Sequence, residues 1–198
     1  MRLFAALASG DDDTARALLA AQPALATETA KSGATRQNAT AFFLEPIRHY
    51  VYAGDSALHI AAAAYRQALV ALLLGKGGNP AATNRRGATP LHYAVDAIPG
   101  ASHWNPAAQA ATIEALLAAG ADPNATDDSG VTPLQRAVRN RAAAAVALLL
   151  RAGADPDAKN RSGSTAHDLA QKATGRSGAG SDEAKEQQRQ ILELLRRR

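Results

Sequence analysis

The sequence predicts an all-α solenoid of about five helix-turn-helix units, joined by short β-turn or hairpin connections and carrying three insertions. Two recurring signatures predict it. Glycines Gly54, Gly87, Gly130 and Gly163 each stand two residues before a Ser or Thr (Ser56, Thr89, Thr132, Thr165), at separations of 33, 43 and 33. Apolar triads at i, i+3 and i+4, the spacing of one helical face, recur as Ala15/Leu18/Leu19, Val70/Leu73/Leu74, Ile113/Leu116/Leu117, Val146/Leu149/Leu150 and Ile191/Leu194/Leu195. Five triads imply five units, none of which buries its helices alone, so each leans on its neighbours.

The local chemistry of one unit explains its boundaries. In Gly87-Ala88-Thr89-Pro90-Leu91-His92, glycine allows a positive-φ turn, threonine caps a helix and proline fits its first position. Thr132-Pro133-Leu134-Gln135 and Thr165-Ala166-His167-Asp168 read as capping boxes, in which the fourth side chain reaches back to the amide of the cap. Second helices end at Gly120-Ala121-Asp122-Pro123 and Gly153-Ala154-Asp155-Pro156, where glycine supplies a left-handed stop and proline prevents continuation.

The two signatures also locate the insertions. Gly54 to Val70 and Gly130 to Val146 are both 16, whereas Gly87 to Ile113 is 26 and Gly163 to Ile191 is 28, so units three and five carry 10 and 12 extra residues between their helices. The usual interval of 13 from the last triad leucine to the next glycine becomes 35 from Leu19 to Gly54, so 22 extra residues separate units one and two. The expected division is one array over 1–198: unit one as a cap over about 1–28, an insert over about 29–52, then units at about 53–83, 84–126, 127–159 and 160–198.

Thr89-Pro90-Leu91-His92-Tyr93-Ala94 matches the ankyrin T-P-L-H-x-A pattern in full. Ser56-Ala57-Leu58-His59-Ile60-Ala61 and Thr132-Pro133-Leu134-Gln135-Arg136-Ala137 match it in part. The chain thus resembles the ankyrin repeat family over nearly its whole length, the inserts apart. It departs in unit one, which lacks the Thr-Pro start, and in unit five, where His167-Asp168 replaces Leu-His. The resemblance implies a non-catalytic protein-protein interaction module whose turn tips and outward first-helix residues line a concave binding face.

Composition limits the alternatives. Hydrophobic residues at 46% give a globular balance, and a net charge of +4 favours acidic partners but is too small and too dispersed for a nucleic-acid binder. Asp11, Asp12, Asp13, Asp127 and Asp128 work against one as well. Without cysteine there is no disulfide, thiolate metal site or cysteine nucleophile. The apolar run Met1–Ala8 is shorter than a secretory signal core, and no stretch reaches the ~20 apolar residues of a membrane span. The expectation is a soluble, cytoplasmic, monomeric protein, and the alanine-heavy composition fits a GC-rich bacterial genome.

No catalytic, metal or cofactor site is expected. His49, His103 and His167 lie in different units without metal-ligand spacing, and no nucleophile elbow occurs. His59 and His92 are expected to satisfy turn hydrogen bonds, and the recurrent Asp122 and Asp155 to close the turn after helix two. Carried over from the resemblance, the concave face comprises Arg85, Arg86 and Ala88, then Asp128, Ser129 and Val131, then Arg161, Ser162 and Ser164 in the turns. Tyr93, Asp96, Arg136, Arg139 and Asn140 follow on the first helices. Arginine predominates there, so the expected partner is a protein with an acidic surface.

Two further features leave alternatives open. Loops 98–106 and 174–181 leave one edge of the array, and His103, Arg139, Arg141 and Arg176 would either form an anion-binding edge there or flank plain linkers. The 29–52 insert holds Phe42, Phe43, Tyr50 and Tyr52, four of the eight aromatic residues, which either pack as extra core or face a partner.

Overall fold

Each predicted cap starts a helix. Ser56, Thr89, Thr132 and Thr165 form capping boxes with His59, His92, Gln135 and Asp168. In the computed structural model, which describes residues 1–96, 104–172 and 182–196, they open α3 (Ala57–Ala63), α5 (Pro90–Ala94), α7 (Pro133–Arg139) and α9 (Ala166–Gln171). Their companions are α4 (Gln67–Gly75), α6 (Pro106–Ala118), α8 (Ala143–Arg151) and α10 (Asp182–Arg196), and the chain begins with α1 (Arg2–Ser9) and α2 (Asp12–Ala21). Five helix pairs result among the described residues.

Successive pairs stack in two layers: α1, α3, α5, α7 and α9 pack in that order, and α4, α6, α8 and α10 pack behind them. The triads do the joining. Ala15, Leu19, Val70, Leu73, Ile113, Leu116, Val146, Leu149 and Ile191 are fully or almost fully buried. Each such Leu or Ile contributes about 2 kcal/mol on leaving water, and the alanines of α3 and α8 let the layers approach closely. No helix among the described residues is long and apolar enough to cross a membrane.

Side chains from one repeat also close the turn of the next. Nδ1 of His59 and of His92 accepts the N–H of its own cap, Ser56 or Thr89, at 3.1 Å. That fixes the proton on Nε2, which donates to Ala88 O at 3.0 Å or to Val131 O at 2.9 Å in the following repeat. Gln135 does the same with its amide, donating to Ser164 O at 3.1 Å. The turn tips stack by backbone bonds: Arg85 N–H to Ala53 O, Asp128 N–H to Arg86 O and Arg161 N–H to Ser129 O. Asp122 and Asp155 each accept an amide two residues on, as turn closers.

The 29–52 insert is an arm laid beside repeats one to three, with its Glu45–Ile47 turn against α1. Its start adds to the turn of repeat two through Ala30 N–H to Asp55 O at 2.7 Å. It then folds back as a two-residue antiparallel ladder, β1 (Phe43–Leu44) with β2 (His49–Tyr50). Phe42 and Tyr52 pack against the core and Phe43 pairs with Tyr50 at 4.8 Å, so the rings are mostly packed, with Tyr50 37% exposed.

Candidate functional site

The first helices α5 and α7 hold the floor of a concave face, and Asp96, two residues past α5, is its hub. Arg136 grips the carboxylate with two parallel bonds, Nε to Oδ1 at 2.8 Å and Nη2 to Oδ2 at 2.9 Å. Asn140 Nδ2 adds a bond to Oδ1 at 2.8 Å, and His49 from the arm reaches Oδ2 through Nε2 at 3.1 Å. The Asp96 carbonyl accepts from the Tyr65 hydroxyl and from Gln109 Nε2. Burial alone would raise the carboxyl, but the Arg136 charge and the His49 contact outweigh it and hold Asp96 well below the usual carboxylate range. Burial would lower the Arg136 guanidinium, and the paired carboxylate more than restores it.

Tyr93 lies beneath this hub. Its ring is 1% exposed and its hydroxyl donates to Asp55 Oδ2 at 3.0 Å while accepting from Asn84 Nδ2 at 2.9 Å. Burial and the Asp55 charge push the phenol far above its ordinary value, so it stays neutral. The His49 ring stacks on it at 4.2 Å and Arg136 lies over it at 5.8 Å.

The arm makes the wall. Glu45–Ile47 form one 3-10 turn that Arg48 ends in the left-handed conformation at φ 48, which turns the chain back so that His49 reaches Asp96. Arg85 donates to Ala34 O, and Arg85 and Arg86 lie over the Tyr52 ring at 5.4 and 4.6 Å. Between this wall and repeats three and four lies a trough of about 870 Å³, within the size range of binding pockets.

The trough collects most of the residues expected on the concave face, in unequal roles. Arg86, Arg139, Asn140, Ser129 and Val131 line it, with Arg86 and Arg139 exposed. Tyr93, Asp96 and Arg136 line it too, as a floor bonded within the protein, which Asn140 joins through its bond to Asp96. Arg136 was expected to offer its charge to a partner; it is neutralised by Asp96 instead. Arg85 is tied to the arm, and Asp128, Arg161 and Ser162 stand exposed on the turn tips outside the trough, while Ser164 is buried.

Arg141 corrects the expected anion-binding edge: it is 3% exposed and takes φ 57 as the turn between α7 and α8, the position Tyr65 holds at φ 54 in repeat two. A buried turn residue cannot present a charge at an edge. His103 and Arg176, with loop 174–181 and residues 98–103, lie outside the described residues. Of that edge, Trp104 bonds Gln109 at 3.1 Å and packs against the core, and Asn105 caps α6. No group of three or more His, Asp or Glu among the described residues is placed to hold a metal ion. Arg48 and His49 are the site residues that the repeat pattern misses, because the arm has no counterpart in the other units.

Comparison with known families identifies the repeats. A family model described as ankyrin repeats in three copies matches residues 3–103, one described as ankyrin repeats in many copies matches 116–170, and a single ankyrin repeat model matches 86–128. Comparison with curated proteins gives no match. With just over half of its residues under one such model, and the rest of the described array built the same way, the chain belongs to the ankyrin repeat family.

Proposed function

We propose that the protein is a non-catalytic binding module that holds a partner protein on the concave face of its repeats, and that the partner surface seated there is acidic. Ankyrin repeats generally serve as protein-protein interaction modules, which supports the general role. The observation that carries the finer reading is the trough itself, whose lining holds Arg48, Arg86, Arg136 and Arg139 against Asp96 and Asp127. Arg136 and Asp96 cancel, which leaves the rim positive. Charge complementarity of this kind steers association and rejects basic partners.

The test is affinity capture from the native cell with the wild type and with the Arg86→Glu/Arg139→Glu double variant, after circular dichroism shows equal helicity. A protein retained by the wild type and lost by the variant supports the concave face. Equal retention places the binding surface elsewhere.

A further inference from the structure

We infer that the trough reads an extended acidic segment of the partner, and that Arg48 of the arm is one of its carboxylate-binding groups; this rests on the concave-face reading above and names what is recognised there. The arm supplies one wall of the trough, and its reversal at Arg48, in the left-handed conformation, places Arg48 in the trough lining together with Arg86 and Arg139.

The dimensions favour a chain segment. The trough runs from Arg86 and Ser129 on the turn tips to Arg139 and Asn140 at the far end of α7. Seven residues of helix span about 10 Å, the length of roughly three residues of extended chain. Arginine stands at both ends and on the wall, so carboxylates two or three residues apart along such a segment each have a guanidinium in the lining to pair with, through the paired N–H donors that suit a carboxylate. The floor contributes no net charge, because Asp96 already holds Arg136 in two bonds. It therefore sets the shape of the trough while the rim supplies the attraction. The arm is locked to that floor by His49, bonded to Asp96 and stacked on Tyr93, so Arg48 is presented by a fixed wall.

Fluorescence anisotropy of a labelled Gly-Glu-Gly-Glu-Gly peptide with the full-length protein tests this, using Arg48→Asn as the variant. Asparagine tolerates the left-handed backbone and keeps the turn while deleting the charge. Expected are binding that weakens with added salt, and a loss of about tenfold or more both with the Gln-for-Glu peptide and with the variant. Equal binding of the Glu and Gln peptides, or full binding by Arg48→Asn, overturns the inference, as does glutarate competing at the same concentration as the peptide. In the capture experiment, a partner lost by Arg86→Glu/Arg139→Glu but kept by Arg48→Asn leaves the concave-face reading standing and removes this one. A partner kept by both variants removes both.

Discussion

His92 in α5 donates from Nε2 to the carbonyl of Val131, 2.9 Å away in the turn of the next repeat, while its Nδ1 accepts the N–H of Thr89. One neutral imidazole thus caps its own helix and closes the neighbouring turn. A protonated ring does not do both, because a proton on Nδ1 would face the Thr89 amide.

That relationship fixes a pH dependence. Burial, aided by Arg136, pushes His92 from 6.5 down to about 4 in the folded protein, and burial lowers His59 likewise. Between those values the unfolded chain binds the proton and the folded one does not. Stability is therefore full above pH 6.5 and is lost as pH falls toward 4. For His92 alone the gap corresponds to about 3 kcal/mol. Urea midpoints measured from pH 7 to 4.5 should fall. The His92→Gln variant, which copies Gln135 at the equivalent position of repeat four, should show a flatter profile.

Asp96 predicts a second effect. Asp96→Ala leaves the half-buried Arg136 unpaired and removes the Nε2 partner of His49, and should destabilise by about 2 kcal/mol. In a double-mutant cycle with Arg136→Met, the second substitution should cost much less than it does alone. Additive effects in urea denaturation would show that the pair contributes nothing.

The stacked tips predict an order among glycine substitutions. A Cβ on Gly87, at φ 71, meets Asp128 N at 2.8 Å, whereas on Gly120, at φ 87, it meets nothing within 4 Å. Gly120→Ala should cost the backbone strain alone, about 1–2 kcal/mol. Gly87→Ala should cost more, because the tip of repeat four has to move.

Core packing gives a fourth scale. Leu149 is fully buried within the layer joined by α6, α8 and α10, so Leu149→Ala should lower stability by about 3 kcal/mol. Thermal denaturation followed by circular dichroism checks it.

These comparisons show which parts of the molecule local sequence encodes. The helix starts at Thr89 and Thr132 and the triads, buried except for the partly exposed Leu18, Leu74, Leu117 and Leu194, were legible because caps and i, i+3, i+4 spacing are short-range signals. The His92 link to Val131 was legible only as a turn bond, since the identity of its acceptor depends on how two repeats stack. The Asp96–Arg136 pair spans 40 residues and leaves no periodic trace, although the two bear opposite charges, Asp96 just past α5 and Arg136 on the neighbouring first helix α7. The arm was least legible. Its ladder has two residues per strand, and His49 finds Asp96 across 47 residues. Arg141 misled because arginine in a turn reads as exposed, while the left-handed turn here tucks it inward.

Hydrogen-deuterium exchange of the protein alone and with its captured partner tests the concave face most directly. New protection is expected over residues 45–50, 84–96 and 127–140, with α4, α6 and α8 unchanged. Protection confined to those three back-layer helices, with the arm and turn tips unaffected, would contradict it.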